Sequence, residues 1–151
     1  MGLPVSDTRG TMDRAVREVA YDSRKVGPDS LFVAIPGGNL DGGAFIKDAI
    51  AQGASAFITQ MPLDSLNGLG LGSRDITALH VEDSRKALSI VSANFYSNPS
   101  ERLALTGITG TNGKTTTSYI LEALFRTEKI GVIGTIDYHY DGKKFPAPVT
   151  T

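Results

Sequence analysis

At 151 residues the chain is long enough for one ordinary domain or two small units. It is 40% hydrophobic and 21% charged, which excludes a disordered chain, and its net charge of −1 gives no general pull toward nucleic acid or an anionic membrane. Cysteine is absent, which excludes a disulfide framework and a thiolate metal site and fits a reducing cytoplasm.

Residues 1–15 are rich in Gly, Pro, Ser and Thr at their start and read as a loose N-terminus without an apolar signal region. Met1-Gly2-Leu3-Pro4-Val5-Ser6 fits the short N-myristoylation pattern, which recurs by chance and is set aside. Residues 16–21 predict a strand closed by polar Asp22-Ser23-Arg24, a segment that by itself reads as a strand-end turn with a surface ion pair. After the turn signal Gly27-Pro28-Asp29-Ser30, Leu31-Phe32-Val33-Ala34-Ile35 predicts a short buried strand and is the longest apolar run, far too short to span a bilayer. Phe45, Ile46, Ala49 and Ile50 recur at helical spacing, with Gly53 where a helix C-terminal glycine belongs. Residues 54–59 predict a strand, 61–75 a long loop, and 76–81 another strand. Gly68-Leu69-Gly70-Leu71-Gly72 lacks dinucleotide-fingerprint spacing and reads as flexible.

Asp83 or Ser84 can cap a helix that places Ala87, Leu88, Val91 and Phe95 on one face. Asn98-Pro99 breaks that helix, and a junction between two α/β patterns is expected near residue 100. Residues 101–151 then predict a strand at 103–108, a glycine loop, a helix, a buried strand at 130–135 and a hairpin about Asp141-Gly142. A parallel nucleotide-binding sheet needs further crossovers to cover both faces, so this second unit reads as incomplete and the chain as an N-terminal fragment. His80 and His139 have no partners at metal spacing and read as structural or exposed.

The chemistry concentrates in Gly110-Thr111-Asn112-Gly113-Lys114-Thr115-Thr116. A strand, a glycine loop and a helix start form a phosphate cradle, because backbone N–H groups converge there on an anion and the helix start adds partial positive charge. Lys114 is placed to reach terminal phosphates, and the Thr115 hydroxyl to ligate Mg²⁺. The glycines stand at 107 and 110, whereas the general P-loop pattern wants one at the position of Ile108. A kinase or GTPase-like switch would also carry a Walker B strand ending in Asp, and neither that strand nor the full loop pattern is present.

Taken together, these motifs resemble the Mur ligases, ATP-dependent amino-acid ligases of peptidoglycan synthesis. Tyr21-Asp22-Ser23-Arg24, Asp29-Ser30-Leu31-Phe32-Val33-Ala34, Asp41-Gly42 and Phe45-Ile46 are similar to that family's N-terminal domain, in order. Phe95-Tyr96-Ser97-Asn98-Pro99-Ser100 and the loop from Thr106 to Thr116 look like its interdomain junction and ATP loop. Ile133-Gly134-Thr135-Ile136 and the terminal Thr150-Thr151 resemble the branch that adds a diamino acid.

The resemblance implies an α/β fold: a small uridine-binding domain over residues 16–100, followed by the start of a P-loop α/β ATPase domain over 101–151. It implies ATP and Mg²⁺, a UDP-N-acetylmuramoyl-dipeptide substrate and a diamino acid, acting in a cytoplasmic monomer without nucleic-acid or membrane partners. Gly110, Thr111, Asn112, Gly113, Lys114, Thr115 and Thr116 would hold ATP, with Lys114 and Thr115 catalytic and Thr115 on the metal. Tyr21, Ser23, Gly38, Asn39 and Leu40 would contact the uridine, and Thr150 and Thr151 the sugar-peptide side. Val149 stands where Asn is frequent in the family, and the family's modified lysine and later Mg²⁺ ligands have no counterpart in this sequence. The alternatives are a ligase that adds D-Ala-D-Ala and a non-catalytic module that binds UDP-sugar and ATP.

Overall fold

A computed structural model describes residues 2–37, 42–69 and 75–146 of the chain. It contains two compact units, Met1–Leu103 and Ala104–Thr151.

The first unit is built on one five-stranded sheet. Its elements in chain order are β1 (Asp7–Arg9), β2 (Glu18–Ala20), β3 (Ser30–Val33), α1 (Ile46–Ala51), β4 (Ala54–Thr59), β5 (Thr77–His80) and α2 (Ser84–Phe95). The strands lie in the order β1-β5-β4-β3-β2; β2 to β5 run parallel, and β1 pairs antiparallel with β5. Every residue of β3 and β4 is buried, as two-sided coverage of a parallel sheet demands. That is why both strands read in sequence as continuous apolar runs rather than alternations.

The alternation survives in which face each residue meets. Phe32, Phe57 and Ala78 join Ile46, Ala49 and Ile50 of α1 in one core cluster. Leu31, Val33, Ala56, Ile58 and Leu79 join Ala87 of α2 in the other, with Leu88 and Val91 packed against it. Gly53 closes α1 with φ +110°, and a Cβ there would lie 3.1 Å from the Pro28 Cα, so only glycine fits this return to the sheet.

Two expectations are corrected here. The N-terminal segment is not loose: β1 adds a strand to the sheet, Leu3 and Val5 pack against the second core cluster, and Arg9 bonds to Asn67 and Asp64. Its apolar residues are too few to reveal a strand that is stabilised mainly by pairing. Residues 61–75 are likewise not simply a loop, because a 3-10 helix spans Leu63–Leu69 and buries Leu63 and Leu66 in the first core cluster. Of the glycine-rich stretch that reads as flexible, Gly70, Leu71 and Gly72 lie outside the described residues.

The second unit carries α3 (Lys114–Leu124) and an antiparallel sheet of β6 (Gly131–Ile133), β7 (Asp137–Tyr140) and β8 (Lys143–Pro146), in the order β6-β7-β8. Asp141 and Gly142 both take positive φ, 51° and 72°, the requirement of a type I′ hairpin turn. Residues 103–108 do not form the expected strand. A parallel strand exists only by pairing with neighbours, and the strands described in this unit pair only with one another, as an antiparallel meander. The expected buried strand at 130–135 shortens to β6, where Ile133 is 84% exposed. Before this unit, Ser97 and Asn98 take positive φ (61° and 49°), and Asn98 starts a 3-10 turn over Pro99–Arg102.

Candidate functional site: the phosphate loop and the strand ends

The loop ahead of α3 is shaped by its glycines. Gly113 is the N-cap residue of α3, with φ 79°, a conformation that side chains with a Cβ rarely adopt. It offers no side chain to the first helical N–H groups. α2 solves the same problem with its own carboxylate, since Asp83 accepts from the N–H groups of Arg85 and Lys86 at 2.9 and 3.0 Å. The two helix starts thus differ chemically: the side chain of Asp83 caps α2, and no side chain of the N-cap residue caps α3.

Lys114 adds the charge. Its ammonium folds back over the loop and donates to the Gly110 carbonyl at 2.8 Å. A Cβ built on Gly107 or Gly113 would meet no atom within 4 Å, so the space beside the loop is open. Helix-start N–H donors, open space and a nearby ammonium fit a phosphate group. Thr111, Asn112 and Thr116 lie on the exposed surface of the loop and helix start. Thr115 is half-buried at the start of α3, and its backbone carbonyl accepts from Ser118 Oγ at 2.7 Å. Its hydroxyl is an oxygen donor of the kind that Mg²⁺ takes. Among the described residues, no group of three or more His, Asp or Glu could hold a metal by itself.

A second set of residues gathers where the parallel strands of the first unit end. Tyr21 follows β2 directly and is exposed, and Ser23 opens a 3-10 turn over Ser23–Lys25. Asp22 caps that turn and pairs with the Arg24 guanidinium at 2.9 and 2.7 Å. The arginine's hydrogen bond holds the Asp22 carboxyl down to about 2. The turn therefore does form the surface ion pair read from its composition, and Ser23 stands half-buried beside it.

At the ends of β4 and β5 the structure brings together residues that sequence patterning did not single out. Gln60 donates to the Glu82 carbonyl at 2.8 Å and accepts from Ser84 Oγ at 2.9 Å, while Arg85 donates to the Pro36 carbonyl at 3.1 Å. Their sequence signal is position alone: each lies just past a parallel strand, at the sheet edge where α/β folds bind ligands. Gly38, Asn39, Leu40, Thr150 and Thr151 lie outside the described residues.

Of the two readings of His139, structural or exposed, the structural one holds. Its Nδ1 lies 2.7 Å from Asp137 Oδ1, its Nε2 lies 3.0 Å from Glu122 Oε1, and its ring stacks on Tyr119 with centroids 6.2 Å apart. Asp137 was within reach of sequence reasoning, since residues two apart on a strand share a face. Glu122 was not, because only the fold brings α3 over β7. His80 remains structural, with Nε2 3.2 Å from the Gln60 carbonyl.

A parallel α/β sheet followed by a Gly-Lys-Thr loop at a helix start defines the chain as a protein of the α/β class. Residues 15–96 match the Mur ligase family, catalytic domain, and residues 108–151 the Mur ligase middle domain. The chain belongs to the Mur ligase family.

Among curated relatives, it is 38% identical over 152 residues to the UDP-N-acetylmuramoyl-L-alanyl-D-glutamate--2,6-diaminopimelate ligase of Clostridium perfringens, covering 99% of this chain and 30% of that one. It is 44% identical over 140 residues to the ligase of the same name from Solibacter usitatus, covering 90% and 26%. Among solved structures, the MurF ligase from Thermotoga maritima in complex with ADP is similar with a TM-score of 0.55 and 30% identity, over 80% of this chain and 25% of that one. A MurF structure from Acinetobacter baumannii gives a TM-score of 0.57 and 26% identity, over 76% and 23%. The chain thus spans 30% or less of the length of the curated relatives described. No helix among the described residues is long and apolar enough to cross a membrane.

Proposed function

We propose that this chain supplies the uridine-nucleotide and ATP-phosphate sites of a ligase that adds a diamino acid to UDP-N-acetylmuramoyl-L-alanyl-D-glutamate. The observation that carries this reading is the uncapped start of α3 with Lys114 folded over its loop. It stands in a chain 38–44% identical to two ligases named for that substrate. Identity to the structurally similar MurF ligases is 26–30%, which favours the diamino-acid reading over the D-Ala-D-Ala one.

In this reading the substrate's terminal carboxylate takes the γ-phosphoryl group of ATP, giving an acyl phosphate and ADP. The diamino acid's amine then attacks the acyl carbon and expels phosphate. Lys114 and the N–H groups of the loop from Gly110 to Thr116 hold the nucleotide phosphates and offset the charge that builds on them. Their contribution is positioning and electrostatics rather than bond-making. A Mg²⁺ ion, held in part by the Thr115 hydroxyl, would neutralise the same phosphate oxygens. Tyr21 and Ser23 contact the uridine from the first unit, joined by Gly38, Asn39 and Leu40, while Thr150 and Thr151 meet the sugar-peptide part. The protein works as a cytoplasmic monomer on small soluble substrates.

The test is calorimetric titration of the purified chain with Mg·ATP, beside its Lys114→Ala variant. Saturable binding that Lys114→Ala weakens supports the phosphate-loop assignment. Equal binding by the two proteins sinks it.

A further inference from the structure

The cluster around His139 lies outside every role assigned above, and its geometry constrains its charge. Both ring nitrogens face carboxylate oxygens, Asp137 at 2.7 Å and Glu122 at 3.0 Å. A neutral imidazole has one N–H and can donate to only one of them. The other contact would then set a nitrogen lone pair against a carboxylate lone pair. Only the imidazolium donates to both. The surroundings favour that form: the side chain is 11% exposed, and Tyr119 stacks on the ring at an interplanar angle of 9°.

The cluster also spans two elements. Tyr119 and Glu122 belong to α3, and Asp137 and His139 to β7. α3 buries none of its own residues, so few apolar contacts hold it to the sheet, and the charge-assisted hydrogen bond between His139 and Glu122, in the last turn of the helix, carries unusual weight. On the β8 side, Lys144 lies 3.5 Å from the second oxygen of Asp137. β6 faces His139 with apolar Val132. Past the helix end, Arg126, Glu128, Lys129 and Asp141 line one cleft with Glu122.

We propose that His139 is protonated in the folded protein, and that this imidazolium clasp between Asp137 and Glu122 positions the phosphate-loop helix on the hairpin sheet. His139 is a positioning residue, acting on Lys114 and Thr115 through α3. The inference takes its functional meaning from the phosphate-loop reading, but the clasp itself can be measured without nucleotide. Its electrostatics agree in direction: the Asp137 hydrogen bond raises the His139 pKa, and the His139 hydrogen bond lowers that of Asp137.

The sign of the pH dependence follows. A histidine raised in the folded state contributes stability that is complete below its unfolded value near 6.5 and is lost as pH rises through the folded value. Asp137, lowered from 3.8, contributes above that value and is lost as pH falls through its folded value. The clasp therefore holds while Asp137 is ionised and His139 is charged, and opens as pH rises through the raised His139 value.

Nitrogen-15 NMR of the whole chain tests this. At pH 6.5 both His139 nitrogens should carry protons. The titration midpoint should lie above 6.5, and the ¹³Cα shifts of residues 114–124 should move toward coil values with the same midpoint. Glu122→Gln keeps the shape and removes one charge, so it should lower the His139 midpoint by about 1 pH unit. A single neutral tautomer at pH 6.5, or α3 shifts indifferent to the titration, overturns the proposal. If Glu122→Gln unfolds the unit, the wild-type titration still decides. Loss of nucleotide binding with the clasp intact would count against the phosphate-loop reading instead.

Discussion

At the scale of single residues, two side chains separate the two candidate sites. Lys114 carries a full charge beside uncapped helix N–H groups, and Ser23 carries a neutral hydroxyl beside a capped turn in the other unit. Lys114→Ala should weaken Mg·ATP binding on the order of ten- to a hundredfold, the scale of a lost charge-assisted contact. Ser23→Ala should weaken binding of the UDP-muramyl dipeptide and leave ATP nearly untouched. Titrating both ligands into both variants checks this; a Ser23→Ala protein as impaired for ATP as Lys114→Ala would refute two separate sites. Next to Ser23, the depressed Asp22 makes a pH prediction. Its ion pair with Arg24 contributes above 3.8, the ordinary aspartate value, and is lost only as pH falls through about 2. Carboxyl ¹³C NMR should find a midpoint near 2 for Asp22, and Arg24→Ala should return it toward the ordinary value. An unshifted wild-type midpoint would mean that the pair does not persist in solution.

At the scale of elements, what could be read from the sequence follows from what makes each element. β4 was legible to the residue because a strand buried on both faces must be a bounded apolar run, and Ala54–Thr59 is one. The cap of α2 was legible because Asp83 acts on N–H groups two and three residues away. Asp83→Ala should therefore cost about 1 kcal/mol, read as a lower urea midpoint with an unchanged slope; no change would mean that packing alone sets where α2 begins. What could not be read depends on distant partners. β1 stands only because it pairs with β5, whereas residues 103–108 pair with no described strand of the second unit. Glu122 and His139 are far apart in sequence and meet only once α3 lies over β7. In the candidate sites the same rule holds. The phosphate loop is local in sequence and was read directly, whereas Gln60 and Arg85 became visible only when the parallel strands aligned their ends.

At the scale of the molecule, burial is uneven. The first unit encloses two core clusters, whereas in the second Leu105, Ile120, Leu124, Phe125, Ile133 and Phe145 are all more than half exposed. Limited proteolysis should cut first between residues 97 and 109 and leave the first unit resistant, including its Leu63–Leu69 segment, where Leu63 and Leu66 are buried. Equal loss of both units, followed by mass spectrometry, would contradict that. The chemistry is uneven too. The chain presents a phosphate loop and strand-end residues suited to a nucleotide. The Thr115 hydroxyl is one candidate metal donor, and among the described residues no acidic or histidine cluster could complete a metal site. Phosphoryl transfer needs the charge on the γ-phosphate offset as the bond breaks, and a lysine with one hydroxyl offsets only part of it. We therefore expect this chain by itself to bind Mg·ATP and the uridine nucleotide without joining a diamino acid to UDP-N-acetylmuramoyl-L-alanyl-D-glutamate. The assay is mass-spectrometric detection of the tripeptide product from purified chain, both substrates, ATP and Mg²⁺. Product above a Lys114→Ala control would show that these 151 residues hold a complete catalytic set.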